Sequence, residues 1–327
     1  MDLRQLAALA AVADHRSFSA AARALHTVQS NVSTHIARLE REVGAALVER
    51  SSGQLTDAGE LVVGRARRIQ AELDALVADV ASTVGEISGQ VRLGVIGTTG
   101  RWLLPALFAR MAETHPKVNL VAVDATTTSL IPQLAAGALD LAVVNLPVSA
   151  PDVAVEILFH EDHVVLVPKG HRLSGRGSLA VEDLAGVALL LEPAGTGFRD
   201  DLDADAARAG VTLIAQAEVD GMRLLASLAD QGLGAAILPA SAIVTLTDGT
   251  WQASPLRGTT PRTVGLATSR RARLAAPARA TMEVLHQVIT AEVPDRPGLH
   301  LPAIAAVVVG GDGPVRSTAD ARPGDHR

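Results

Sequence analysis

The sequence predicts an α+β multidomain chain: an N-terminal helix-turn-helix head, a long linker helix, and a two-lobed α/β region behind it. Three observations carry this. The stretch SFSAAARALHTVQSNVSTHIARLEREVG has the texture of a short helix, a tight turn and a longer helix. Residues 59–87 then place an apolar residue every three or four positions among charges. From Gln90 onward short apolar strands alternate with helical stretches, the signature of α/β layers. A length of 327 residues exceeds one ordinary domain, and 48% hydrophobic with 20% charged residues fits a folded chain that can bury a large core.

In the head, Ser17 or Ser19 can cap the first helix by accepting an otherwise unpaired backbone N–H. Phe18, Ala22 and Leu25 form its inward stripe, and residues 26–28 make the turn. Val32, Ile36, Leu39 and Val43 recur at helical spacing along the second helix. Its other face carries Ser30, Thr34, Arg38 and Arg41, with Gln29, Asn31 and Ser33 near its start. Amides and hydroxyls there suit base edges and phosphate oxygens once a helix end enters the major groove. The plain alternative is that they only cap a helix start.

The strings MDLRQLAALAAVA, SFSAAARALH, VQSNVSTHIARLEREVG, LVER and LTDAGE follow one another in residues 1–88 in the order and spacing of one family. This part of the chain resembles the DNA-binding end of the LysR-type transcriptional regulators. The resemblance implies a winged helix-turn-helix over 3–14, 19–25 and 29–44. Gln29, Ser30, Ser33 and Thr34 would then face bases or nearby phosphates, and Arg38 the backbone; Asn31, near the helix start, is a further candidate for DNA contact. The chain departs from the family pattern at the wing, which is the short SSGQ between Arg50 and Leu55 without the customary arginine. It departs again at Thr34, where many relatives carry Arg or Lys, so guanine readout there should be weak.

Composition narrows the function. The chain has no cysteine, which excludes disulfides, zinc–cysteine sites and thiol oxidation. One branch of the resembled family senses peroxide through cysteines, and this chain lacks that route. The net charge is −6, whereas a nucleic-acid binder is expected to show a basic patch. Residues 1–50 hold six arginines (4, 16, 23, 38, 41, 50) against five acids (2, 14, 40, 42, 49), so DNA attraction must come from placement and from paired copies. No apolar run approaches the ~20 residues of a membrane helix, and the first residues do not read as a signal peptide. A cytoplasmic protein is expected.

Thr56 can cap a linker helix running to about residue 86. Its stripe of Val62, Ile69, Leu73, Leu76, Val80, Val84 and Ile87 asks for a partner helix, and self-pairing answers it. The family's linker helix pairs two subunits, implying a homodimer or homotetramer with half-sites about one helical turn, ~34 Å, apart.

Past the break at Ser88-Gly89, strands are expected over 91–96, 119–123, 139–145, 156–158, 164–167, 188–191, 217–219 and 264–268. Helices are expected over 102–113, 130–136, 200–208, 222–230 and 277–292. Strand–helix repetition implies parallel sheets, and two such lobes enclose a cleft beyond the strand ends. QVRLGVIG, LDLAVVN and DQGLGAAILP resemble the two-lobed effector-binding region of the same family, a fold shared with periplasmic solute-binding proteins. The domains expected are residues 1–58 for the head, 59–89 for the linker and 90–293 for the effector region. Within the last, one lobe takes about 90–161 and 266–293, the other about 162–265. Residues 294–327 read as a flexible Pro- and Gly-rich tail, although 299–309 could add a strand to a sheet edge.

Candidate effector contacts sit in the strand-end loops. Thr98, Thr99 and Arg101 follow the first strand directly ahead of a helix, where free N–H groups and a cation attract an anion. Thr126 and Thr127, Asn145, Thr196 with Phe198, and Asp220 occupy corresponding places. A small molecule is implied, with a carboxylate suggested by Thr98, Thr99 and Arg101. Gly232-Leu233-Gly234 comes after a helix and before a strand, so it ends a helix and binds no nucleotide. His160-Glu161-Asp162-His163 lacks metalloprotease order, and Asp201, Asp203 and Asp205 lack the glycine and closing glutamate of a calcium loop. Both clusters read as solvated surface, and no metal or cofactor is expected.

The function these readings support is a regulator that binds double-stranded operator DNA under the control of a small effector. RNA polymerase is a further partner if the protein activates. A solute-binding protein would explain the lobes but not residues 1–88. An enzyme on a similar scaffold would need a paired nucleophile and base, and no such signature is evident.

Overall fold

The computed structural model describes residues 1–49, 52–83, 85–243, 251–271 and 273–303. The head is built from α1 (Leu3–His15), α2 (Phe18–Ala24) and α3 (Gln29–Val43). Asp2 opens α1 with a capping box, accepting from the Gln5 amide at 2.9 Å while the Gln5 side chain accepts from the Asp2 amide at 2.8 Å. Ser17 is the cap of α2, its hydroxyl facing the Ala20 amide. Leu9, Val12, Ala21, Val32, Ile36, Leu39 and Leu47 close into one core. Burial is worth about 1.5–3 kcal/mol for each large aliphatic side chain. Leu25 and Val43, expected inside, are 37% and 40% exposed because each falls at the fraying end of its helix.

The wing is a tight hairpin, with Val48 bridged to Leu55 and the Glu49 amide donating to the Gln54 carbonyl at 2.8 Å. Gly53 allows this at a positive φ of 71°, since a Cβ there would meet the Arg16 carbonyl oxygen at 2.9 Å. Arg50 and Ser51 lie outside the described residues.

The linker helix α4 spans Asp57–Thr83, and Thr56 caps it by accepting from the Gly59 amide at 3.0 Å. Its early face, Val63 and Ala66, joins the head core. Leu61, Ile69, Leu73, Leu76, Val77 and Val80 stay exposed. The far end does have an internal partner that the sequence did not indicate. Asp79 accepts from the Ala276 amide at 2.9 Å and pairs with Arg279 at 3.2 Å, both near the start of the last helix. Val84, part of the expected stripe, lies outside the described residues.

The rest forms two six-stranded sheets. The first lobe contains β1 (Gly89–Val95), α5 (Gly97–Thr114), β2 (Val118–Asp124), α6 (Thr127–Ala135), β3 (Leu141–Leu146) and β4 (Val153–Glu161). The second contains β5 (His163–Pro168), β6 (Leu179–Ala180), β7 (Ala188–Leu191), α7 (Gly197–Arg208), β8 (Ile214–Glu218), α8 (Met222–Asp230), β9 (Ala235–Pro239) and β10 (Trp251–Arg257). The chain then returns to the first lobe as β11 (Arg262–Ser269), α9 (Ala276–Glu292) and β12 (Leu299–His300).

Strand orders are β12-β4-β11-β3-β1-β2 and β6-β10-β5-β9-β7-β8. Each sheet has the expected parallel run, at one end of its strand order: β1 with β2 and β3 in one and β7 with β8 and β9 in the other. Neither is parallel throughout. β11 runs antiparallel to β3 and β4, and β5 antiparallel to β9 and β10, because these are the strands that carry the chain between lobes.

β11 pairs in the first lobe from Arg262 onward, so the return crossing falls at residues 258–261 and not after 265. The flexible tail does not start at 294: Val293–Asp295 forms a 3-10 turn and β12 pairs with the end of β4. Residues 304–327, including the rest of the suggested 299–309 strand, lie outside the described residues.

Candidate functional site: a DNA-reading head and a closed interlobe cleft

α3 presents Gln29, Ser30, Asn31, Thr34 and Arg38 to solvent, with Ser33 half-buried beside them. Val28 precedes the helix without a side-chain cap, so first-turn amides point outward at the positive end of the helix dipole. Two of the candidate side chains have local bonds. The Asn31 amide donates to the Thr27 hydroxyl at 3.0 Å, which pins the turn. The Thr34 hydroxyl donates to the Ser30 carbonyl at 2.8 Å, so its outward chemistry is a methyl group and an acceptor oxygen. An ion pair between Asp14 and Arg67 fixes the linker helix against α1 and thereby orients the head.

Between the lobes the arrangement is the reverse, with polar groups deep inside. Thr98 and Thr99, in the first turn of α5, are 4% and 0% exposed. The cation beside them is not Arg101, which points to solvent, but Arg262 at the start of β11. Its guanidinium donates to the Thr98 hydroxyl at 3.0 Å and is paired with Glu161, whose Oε2 accepts from Nε at 3.0 Å. Glu161 also accepts from the Ser241 amide of the second lobe. This pair is buried on both sides, Glu161 completely.

His163 lies two residues beyond Glu161 and is buried edge-on against Phe198, ring centroids 5.3 Å apart. Burial, and next the Arg262 charge, lower its pKa to about 4, so the ring is neutral near pH 7. Burial likewise raises the Glu192 carboxyl above the usual range, and the nearby Asp220 charge adds to this against a hydrogen bond from Thr196 and the charge of Arg262. The His160–His163 run is therefore not the solvated surface expected of it. β4 passes directly into β5 through Asp162, and strand alternation turns Glu161 and His163 inward. Asp205 is likewise buried and accepts from the Thr260 amide on the return crossing.

The remaining candidates divide. Thr127 accepts from the Asn145 amide at 3.0 Å, joining the ends of β3 and α6. Thr126 is exposed and bonds Thr128 and Ser129 in its own loop. Thr196 donates to the Pro193 carbonyl at 3.0 Å, and Asp220 is exposed. Among the described residues, Thr99 Oγ1, Asn145 Oδ1, His163 Nδ1 and Ser241 Oγ are buried without a protein hydrogen-bond partner. Each such group costs about 1–3 kcal/mol when unmet, and six other buried atoms among the described residues, His35 Nδ1 and His286 Nε2 among them, are in the same condition.

The cleft is shut. One apolar cluster runs from Leu93, Leu103 and Leu107 of the first lobe into Leu166, Leu225 and Leu238 of the second. Arg223 of α8 pairs with Asp124 at the end of β2, at 2.5 Å, with its stem against Gly97. A groove of about 280 Å³ lies elsewhere, between the end of α4 and the start of α9. Another, of about 240 Å³, lies beside Phe108 and Leu120. Gly232 has a φ of 80° after α8, the helix-ending role that its sequence context predicts. No cluster of three or more potential metal ligands occurs among the described residues.

A helix-turn-helix head with a bare reading-helix N-terminus, coupled to two α/β lobes packed around buried polar groups, defines a DNA-binding regulator with an effector-binding domain. Family comparison agrees at both ends: residues 3–60 match the bacterial regulatory helix-turn-helix protein, lysR family, and residues 85–290 the LysR substrate binding domain. The chain belongs to the LysR family of transcriptional regulators. It is 32% identical to the DNA-binding transcriptional dual regulator OxyR of Escherichia coli K12 over 299 residues, 90% of this chain and 96% of that one. It is 35% identical over 246 residues to a probable hydrogen peroxide-inducible genes activator of Streptomyces viridosporus, 74% of this chain and 78% of the relative. Among solved structures, a cysteine-to-aspartate variant of full-length OxyR from Pseudomonas aeruginosa superposes with a TM-score of 0.71 at 26% identity, covering 88% of this chain and 97% of that one. No helix among the described residues is long and apolar enough to cross a membrane.

Proposed function

We propose that this regulator binds a two-fold operator through Gln29, Ser30, Asn31, Ser33, Thr34 and Arg38. We propose further that its DNA-bound geometry is set by reversible binding of a small molecule in the interlobe pocket. Residues 1–58 serve as the head, 59–89 as the linker and the two lobes, β12 beyond residue 293 included, as the effector unit, working in the cytoplasm as a homodimer or homotetramer. The exposed apolar face of the linker helix supports self-pairing. RNA polymerase is the further partner if the protein activates transcription.

The observation that carries the effector reading is the set of buried, unpartnered polar atoms on Thr99, Asn145, His163 and Ser241. Thr98, Thr127, Thr196 and Phe198 frame it, Asp220 contributes its field, and Arg101 and Thr126 stand at the rim. The Streptomyces viridosporus relative is named for hydrogen peroxide induction, but this chain contains no cysteine to oxidise. Control by non-covalent binding follows. Since Glu161 already neutralises the buried guanidinium, the pocket favours a neutral hydrogen-bonding ligand over the carboxylate that the threonines and Arg101 suggested. A ligand acts only by favouring one lobe arrangement over another.

The test is footprinting on the DNA directly upstream of the protein's own gene, with and without a panel of neutral and anionic metabolites and peroxide. A footprint that a neutral metabolite lengthens or shortens, and that Thr99→Val makes unresponsive, supports the reading. A footprint indifferent to Thr99→Val rejects the pocket. No preference over scrambled DNA rejects the reading head.

A further inference from the structure

The chain passes from the first lobe to the second through a single residue, Asp162, between β4 and β5. That hinge is gripped by a segment beyond residue 290, where the substrate-binding-domain match ends. The Asp162 amide donates to the Gly298 carbonyl at 2.8 Å, and the Asp162 carboxylate lies 2.8 Å from His300 Nε2. The Asp162 carbonyl accepts from the Ala240 amide of the second lobe at 3.0 Å. Gly298 packs so closely that a Cβ there would meet the Ala240 Cβ at 2.7 Å, and its φ of 79° suits glycine. One residue therefore ties the segment to both lobes.

The same segment reaches the pocket's own helix. The Arg296 guanidinium stacks over the Trp102 ring at 4.7 Å, one turn along α5 from Thr98 and Thr99. Its Nη2 is held by Glu292 at 2.7 Å. Val293 and Leu299 are buried in the core that runs through both lobes, and Leu299 and His300 pair with Glu161 and His160 of β4. Leu299 thus sits in register with the carboxylate that holds Arg262.

We propose that residues 293–303 are a strap that clamps the interlobe hinge and sets the lobe arrangement an effector must change. Apolar anchors at Val293 and Leu299 hold the strap in place. Its backbone and His300 fix Asp162, and Arg296 fixes the orientation of α5. A device of this kind biases a two-state equilibrium without touching the ligand. The regulatory part rests on the ligand-in-pocket reading; the mechanical part does not.

The experiment is hydrogen–deuterium exchange on the full chain without DNA or ligand, followed in short peptides covering 159–163 and 237–243. Three variants are compared with it: a chain ending after Arg296, one ending after Ala303, and the double variant Arg296→Gln, His300→Ala. Ending after Arg296 should speed exchange at Asp162 and Ala240 about tenfold or more, with the core strands β3 and β7 unchanged. Ending after Ala303 should change nothing. The double variant keeps the backbone and should give a smaller rise at the same two sites, which answers the question if the shorter chain does not fold. Unchanged exchange at Asp162 in the folded chain ending after Arg296, or in the double variant if that chain does not fold, overturns the strap, as does a uniform rise across both lobes. Because no effector is present, failure of the pocket reading leaves this result standing, and the reverse also holds.

Discussion

The reading head and the interlobe hinge use polar side chains in opposite ways. On α3 they are exposed, and the bonds that Asn31 and Thr34 make reach only four residues back along the chain. At the hinge they are buried, and Arg262 reaches Glu161 across 101 positions and Thr98 across 164. An exposed hydroxyl that loses its partner regains water, whereas a buried charge that loses its partner is stranded. Substitutions in the head should therefore change DNA binding and spare the fold, while substitutions at the hinge should change the fold first.

The largest effect is expected from Glu161→Ala. It strands the Arg262 guanidinium inside both lobes and removes the acceptor of the Ser241 amide. A loss of about 3–5 kcal/mol in denaturant unfolding is expected. A double-mutant cycle with Arg262→Met should recover much of it, since a matched apolar pair leaves no charge behind. If the single variant melts like the parent, the hinge is wetter than its burial implies.

His163 gives the next. Its folded pKa of about 4 lies below the unfolded value of 6.5, so the folded state binds fewer protons between those values. The neutral ring's contribution is complete above pH 6.5 and is lost as pH falls toward 4, amounting to about 3 kcal/mol in all. His163→Phe should flatten that part of the stability curve. A parent and variant with the same slope from pH 6.5 to 4 would show that His163 does not report the closed cleft.

For the head, replacing Ser33 and Thr34 together by alanine should weaken operator binding by about 1–3 kcal/mol per lost base contact. Random-sequence DNA should be bound nearly as before, and thermal unfolding should stay close to the parent's. Equal losses on operator and random DNA in gel shifts would mean that these residues meet phosphate and not bases.

These contrasts also explain what was legible in the sequence. The head was readable because its core obeys local spacing: Val32, Ile36 and Leu39 are buried as their three- and four-residue steps require. The strand–helix order of the lobes was readable for the same reason. What it hid was long-range pairing. Glu161 and His163 stand in a charged run that reads as solvated surface, although their place directly between two apolar strands, with no glycine or proline to turn the chain, was the available signal. Arg262 had none, since its partners are brought by β4 and α5. Arg101 neighbours Thr98 in sequence, yet helix geometry sends it to solvent. The strap was obscured by the Pro and Gly of 294–298, which read as disorder until β4 supplied an edge for Leu299 and His300 to pair with.

The smallest effect is expected at the mouth between the lobes. Arg223 and Asp124 also join the two lobes, but they are 62% and 39% exposed where Arg262 and Glu161 are 9% and 0%. Water and salt screen the outer pair, so its Coulomb gain is largely offset by the entropy of holding a long side chain. Arg223→Ala should cost no more than about 1 kcal/mol in unfolding, and raising the salt should bring parent and variant together. Its readout should lie in the lobes' relative motion: faster exchange at the start of α5 and at α8, with Asp162 unaffected because the strap still holds the hinge. A loss above about 2 kcal/mol that persists in high salt would place this pair in a desolvated setting like that of Glu161 and Arg262. The distinction between a mobile mouth and a rigid hinge would then fail, and closure of the lobes would have to be treated as one cooperative unit.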